Sequence, residues 1–313
     1  MTYGEAVWMP DASSLSRRVV VTPGMSGGGS LLFGRIGDWT WDAVSAACGT
    51  DVHAARNQEG EPAYLSFYYY RIRGGTAVQP HGLEFGDRLQ ASSRVFDFGS
   101  RSALTLHRLA PAGLDLPDLP LEAAEFHERP HPACLYAETF NRWVSRTRSG
   151  SNRGLAEVSP PDFAHEHLPR LANEHSPRTL VGRARQAGTF HPGGPTGYLP
   201  GGSPATLTYA LDPVRDLNGA GLVYFASFFS IFDTGLLALW RAAGRGDAAF
   251  VRRRIADQRI GFFGNADVGT VFTINGRRWL PGTPGRGEIA DLQLREAGSE
   301  RLVAVASIEL APA

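Results

Sequence analysis

Apolar residues in the second half of the chain recur at steps of three and four: Leu222, Phe225, Phe229, Phe232, Leu236 and Leu239 form one stripe. At 3.6 residues per turn, that spacing predicts a helix over 222–242 with a continuous buried face. A shorter helical pattern covers 38–48. Strand-like runs flank each helix, at 19–22, 63–73, 88–96 and 102–109 in the first half and at 205–211, 269–274, 287–294 and 301–310 in the second. The last three alternate with the two-residue period of strands that have one solvated face. In both halves the order is the same: a strand, a Gly-containing loop, a helix, then several strands.

A helix with so wide an apolar stripe needs a sheet wrapped around it. The expected fold is therefore α+β, with two antiparallel sheets, each curled around a long central helix. Pro and Gly cluster between Gly150 and Pro204, as in VSPPDF and TFHPGGPTGYLPGGSP, and a boundary belongs there. The expected organisation is an N-terminal domain over 1–155, a Pro/Gly-rich linker region over 156–204 and a C-terminal domain over 205–313.

Composition narrows the function. With 31 basic and 31 acidic residues the formal charge is zero, so no basic field exists to wrap a nucleic acid. All the basic residues are arginine, which excludes a Schiff-base lysine and a P-loop lysine; SGGGS (26–30) is accordingly no phosphate loop. The first 16 residues show no signal-peptide pattern, and no apolar run approaches the ~20 residues that cross a bilayer, so a cytoplasmic protein is expected. Cys48 and Cys134 are expected to be free thiols there. His165, His167 and His175 match no common zinc spacing and are read as loop histidines, so no metal is expected.

Two resemblances give this plan a chemistry. DLNGAGLVYFASFFSIFD (216–233) resembles the signature of the 4-hydroxybenzoyl-CoA thioesterase type of hot-dog enzyme. Counting back three residues from Gly221 puts Asn218 where that family has its catalytic carboxylate, and an amide is neither base nor nucleophile. PGMSGGGSLLFGRIGDWTWDAVSAACGTDV (23–52), PAYLSFYYYRIRG (62–74) and EFGDRL (84–89) resemble the bifunctional acyltransferase/decarboxylase of leinamycin-type biosynthesis, a double hot-dog. The resemblance implies methylmalonyl-CoA as substrate, an acyl ester on a tyrosine, and delivery of propionyl to the phosphopantetheine thiol of an acyl carrier protein. It implies no bound cofactor, no metal and no membrane, in a monomer or homodimer.

Tyr64, in PAYLSF, best matches the family's nucleophile. Strand alternation puts Tyr64, Ser66, Tyr68 and Tyr70 on one face and Tyr69 on the other. Oxyanion donors are expected at two helix starts, where N–H groups lack intrahelical partners: Gly37 and Asp38, and Asn218 to Gly221 with Gly219 and Gly221. Each of these residues has a plainer reading, Asp38 as an N-cap and the glycines as turn formers. Asn218 can hold a substrate carboxylate by a neutral amide, while Met25, Trp39 and Trp41 offer apolar walls. Two alternatives of the same fold stay open: a thioesterase using some other carboxylate, and a non-catalytic acyl-binding module.

Overall fold

Leu32, Phe33, Ile36, Trp39, Ala43, Val44 and Ala47 form one buried helical stripe in a computed structural model of the chain, which describes residues 6–116, 120–148 and 150–312. The helix that carries them, α1 (Gly29–Cys48), begins nine residues before the expected start at Asp38. Gly28 supplies the extended N-cap and Gly49 the left-handed C-cap at φ 68°. The glycines of SGGGS point to a loop, but burial of Leu32, Phe33 and Ile36 outweighs their weak helix propensity.

By contact the chain divides into two units. The first runs through Thr147 and resumes over Leu155–Ser176; the second comprises Arg148–Gly154 and the chain from Pro177 onward. The stretch 156–204, expected as a linker, is thus shared between the two units, and it contains α3 (Pro177–Ala187) and β8 (Tyr198–Pro200).

In the first unit β1 (Ala6–Trp8), β2 (Ser14–Val20), β3 (Tyr64–Arg73), β4 (Arg88–Asp97), β5 (Ser102–Pro111) and β6 (Leu135–Arg146) lie in the order β1-β2-β4-β5-β6-β3. The short β7 (Leu155–Glu157) pairs with the end of β6, and α2 (Ala123–His127) precedes β6. The second unit has β9 (Ala205–Ala210), α4 (Phe225–Ala242), α5 (Asp247–Val251), β10 (Ile255–Phe262), β11 (Val271–Pro281), β12 (Ile289–Glu296) and β13 (Leu302–Leu310). Its order is β10-β13-β12-β11, and both β8 and β9 pair with β11.

Aligning β2 with β9, α1 with α4 and β3–β6 with β10–β13 superimposes one connectivity on the other: a strand, the helix, then four antiparallel strands in the same spatial order. β6 and β10 were not visible in the pattern. Nearly every residue of β6 is buried, so it has no polar alternation to reveal it.

Helix α4 starts at Phe225, not Leu222, because Asn218 first closes a turn. Its N–H donates to the Leu222 carbonyl at 2.9 Å, and Gly221 donates back to its carbonyl at 2.9 Å with φ 71°. The helix then seats closely on its sheet. A Cβ on Gly235 would stand 2.8 Å from Leu292 and 2.9 Å from Ile274, and one on Gly276 would stand 2.9 Å from Leu239. Among the described residues no helix is long and apolar enough to cross a membrane.

Candidate functional site

Tyr64 opens β3 opposite Val144 of β6, half-buried, with its hydroxyl accepting a hydrogen bond from Arg146 Nη1 at 3.0 Å. The same guanidinium lies 5.5 Å from the centre of the Tyr64 ring. Local structure fixes both partners. Ser145 Oγ donates to the Pro62 carbonyl at 2.8 Å, and Trp41 Nε1 donates to the Leu65 carbonyl at 3.0 Å, so the strand end is held from the sheet side and from the helix side.

The four-residue polar face expected on β3 is interrupted. Phe67 pairs with Asn141 and Tyr69 with Phe140, leaving Tyr68 as the extra residue of a bulge. The bulge turns Tyr70 inward, where its hydroxyl donates to the Phe33 carbonyl of α1 at 3.0 Å and its ring stacks on Phe67 at 5.5 Å. Tyr68 stays half-buried under Arg142, whose guanidinium is 3.7 Å from the ring centre. Tyr64 thus meets a cation through its oxygen, and Tyr68 meets one through its ring.

The expected oxyanion donors need correction. Gly37 and Asp38 lie well inside α1, so their N–H groups belong to its ladder and cannot serve a substrate. Asp38 is no N-cap; half-exposed and 3.6 Å from Arg35, it has its pKa raised by desolvation. The start of α1 is also remote from Tyr64 within this unit. Tyr70 meets Phe33 near that start while Leu65 meets Trp41, and eight residues of helix separate the two contacts, about 12 Å. Trp39 is fully buried between Arg17 and Arg35, 5.4 and 5.7 Å from its ring, and can form no wall of an open pocket. Met25 is likewise buried, in the turn before α1. Trp41 is the partly buried one.

In the second unit Asn218, Gly219 and Gly221 share one turn ahead of α4 and do not form its first turn. The side-chain oxygen of Asn218 accepts from the N–H groups of Ala220 at 3.0 Å and Leu222 at 3.1 Å, which leaves its amide nitrogen as the donor. The buried carboxylate of this region is Asp216, which counting from Gly221 passes over. Both its oxygens are engaged, by Tyr209 Oη at 2.9 and 3.1 Å and by the Asp212 N–H at 2.8 Å. Burial and this carboxylate push the Tyr209 hydroxyl up to about 12.

Other nucleophiles are disarmed. Burial pushes Cys48 up to about 12, with Asp97 adding to it, and Cys134 up to about 11, so neither is a thiolate at neutral pH. Both are buried and unpaired in any disulfide. His165 pairs with Asp97 at 2.8 Å, His167 meets the Ala47 carbonyl at 2.9 Å, and His175 stacks on His127 with ring centres 4.2 Å apart. They fasten the segment after β7 to the first unit. Among the described residues no group of three His, Cys, Asp or Glu is placed to hold a metal ion.

A network inside the first unit is not legible in the sequence. Thr40 Oγ1 on α1 stands 2.9 Å from His107 Nε2 and 3.2 Å from Thr139 Oγ1, and His107 Nδ1 stands 2.8 Å from Ser93 Oγ. His107 is fully buried, and desolvation, aided by Arg17, lowers its pKa to about 3. It is a neutral histidine holding helix to sheet.

A sheet wrapped around a helix, present twice with one connectivity, defines a double hot-dog protein. The model of the LnmK N-terminal Hot Dog Fold domain matches residues 16–192, more than half of the chain, and the chain belongs to that family. The second-half stretch 216–233 lies outside that match. Solved structures share the double fold at low identity. One described as an oleoyl thioesterase from Lactobacillus plantarum is 12% identical, with a TM-score of 0.59, covering 96% of this chain and 97% of that one. The 12:0-ACP thioesterase from Umbellularia californica is 12% identical, with a TM-score of 0.53 and coverage of 96% and 94%. An acyl-ACP thioesterase from Bacteroides thetaiotaomicron is 11% identical, with a TM-score of 0.50 and coverage of 95% and 97%. No curated protein matches the chain.

Proposed function

We propose that this protein takes methylmalonyl from CoA as an ester on Tyr64 and delivers propionyl to the phosphopantetheine thiol of an acyl carrier protein. The observation that carries this reading is Arg146 Nη1, 3.0 Å from the Tyr64 oxygen. The tyrosine oxygen attacks the thioester carbonyl, the CoA thiol leaves with the proton, and the carrier thiol later attacks the ester and restores the phenol. In both tetrahedral steps negative charge gathers beside Tyr64, where a fixed guanidinium is a stronger donor than a neutral group.

Decarboxylation breaks the bond between the carboxylate and Cα, gives an enolate and takes up one proton at carbon to yield propionyl. The Asn218 amide nitrogen, left over once its oxygen holds the turn, is a neutral donor of the kind that pairs with a carboxylate without the strong attraction of an arginine. No resident cofactor enters the scheme; the CoA thioester is substrate and the pantetheine arm is acceptor. Both are cytoplasmic species, which is where the enzyme would work. The fold neighbours described as acyl-ACP thioesterases favour a carrier-borne thioester as one of the two partners.

The thioesterase alternative needs a free carboxylate, and Asp216, the buried one ahead of α4, has both oxygens engaged. Incubation with methylmalonyl-CoA and a holo carrier protein, followed by mass measurement of the carrier, tests the proposal. Propionyl on the carrier is expected with the wild-type protein and an unmodified carrier with Tyr64→Phe. A Tyr64→Phe variant that still loads the carrier would overturn the acyl-tyrosine step, and CoA release with no carrier loaded would make the protein a thioesterase.

A further inference from the structure

On β11 of the second unit, Ile274 and Gly276 face α4, which leaves Asn275, Arg277 and Trp279 on the opposite face of the sheet. Asp291 and Gln293 stand beside them on β12, paired with Arg277 and Asn275. The loop after α3 passes over this face and brings in Thr189, His191, Gly193 and Gly194, enclosing a cavity of about 370 Å³.

His191 is oriented from behind. Its Nδ1 lies 2.9 Å from Asp291 Oδ1, while Trp279 Nε1 donates to Asp291 Oδ2 at 2.8 Å, so the buried carboxylate is fixed by one partner and fixes the other. With Nδ1–H directed at Asp291, the lone pair of a neutral imidazole falls on Nε2. Nε2 makes no hydrogen bond among the described residues, and its ring lines the cavity.

Of the other polar side chains lining the cavity, the Asp291 carboxylate has both oxygens engaged by His191 and Trp279, and Asn275, Gln293 and Arg277 offer donors. Asn275 Oδ1 accepts from Thr206 Oγ1 at 2.8 Å, which leaves its NH₂. Gln293 Oε1 lies 3.4 Å from Arg295 Nε, which leaves its NH₂ likewise. Arg277 is exposed, rests 5.4 Å from the Trp279 ring and has no carboxylate partner among the described residues. The close pass of Gly194, where a Cβ would stand 2.8 Å from the Trp279 ring, keeps the loop down on this floor.

A cation, two amide donors and one imidazole acceptor describe a particular ligand class. We infer that the cavity binds a small oxyanion that also carries an O–H, hydrogen phosphate or a hydroxycarboxylate, with Arg277, Asn275 and Gln293 on the anion and His191 Nε2 accepting from the O–H. This inference is independent of the acyl-transfer reading and uses none of its residues.

Titration of the full chain with inorganic phosphate, lactate and acetate, followed through the ¹⁵N resonances of His191, tests it. The expected result is saturable movement of Nε2 with phosphate, marking a hydrogen-phosphate site, or with lactate, marking a hydroxyacid site. Acetate, which lacks the hydroxyl, should bind about tenfold more weakly, the loss of one hydrogen bond to a half-buried partner. Arg277→Ala, a surface change with little bearing on folding, should weaken binding by about tenfold or more. No movement of Nε2 with either phosphate or lactate, or equal binding by Arg277→Ala, would overturn the inference.

Discussion

Tyr64 and Tyr70 begin from the same residue type on the same strand and end with opposite roles, because one bulged residue separates them. Tyr70 is buried with its hydroxyl satisfied by a backbone carbonyl of α1; Tyr64 is at the open strand end beside Arg146. In the sequence Tyr64 is singled out by the family resemblance alone. That resemblance does not disclose Arg146, eighty-two positions away in a strand that the pattern missed. Replacing Arg146 by Ala should lower carrier loading by about 100-fold while leaving the fold intact, in line with removal of one charge-stabilising donor; the initial rate of mass gain on the carrier checks it. Asn218 holds its turn through its side-chain oxygen. Asn218→Ala removes the acceptor of two N–H groups in a tight turn and should destabilise the protein by about 1 kcal/mol, read by denaturant melts. Asn218→Asp keeps the acceptor, so it should retain that stability.

At the scale of elements, legibility followed contrast along the sequence and not burial alone, since β5 is as buried as β6 and was still expected. Helix α4 announced itself because its apolar residues alternate with Ser227, Ser230 and Asp233, giving a clear period; β11 did so by alternation, whereas β13, expected to have one solvated face, is buried along nearly its whole length. β6 and the first nine residues of α1 did not. One is buried on both faces and the other is written in glycine and leucine, so neither contrasts with its surroundings. The cost of that omission was functional as well as structural, since placing the start of α1 at Asp38 created an oxyanion site that the helix ladder abolishes. Close packing of α4 also rests on residues that a pattern reads as breakers. Gly235 in mid-helix faces Leu292 and Ile274 at under 3 Å from where its Cβ would be. Gly235→Val should overpack this contact and cost about 1–3 kcal/mol, despite the better intrinsic propensity of the larger residue over glycine. A lowered midpoint in urea with an unchanged slope is the expected signature.

At the scale of the whole molecule, two units of one connectivity differ in how they keep polar groups in the core, and acid should tell them apart. The first unit holds His107, buried and lowered to about 3, and His127, also lowered to about 3 by burial, by His175 and by nearby arginines. When such a unit unfolds, each imidazole regains its ordinary value near 6.5. Between roughly pH 6.5 and 3 the unfolded chain therefore binds protons that the folded one refuses, so stability is full above pH 6.5 and falls as the pH drops through that window. For His107 alone the loss from pH 8 to pH 5 is about 2 kcal/mol. The carboxylates whose pKa values are lowered, Asp97 in this unit and Glu296 in the other among them, begin to act only below their ordinary values near 4. Between pH 8 and pH 5 the penalty thus falls on the unit built around α1. Hydrogen exchange at pH 5 should show lost protection in β4 and β5 while β12 and β13 keep theirs, and His107→Gln should remove about half of the pH dependence, His127 supplying the rest. Equal loss in both units would mean that histidine burial in the first is not what sets the acid response.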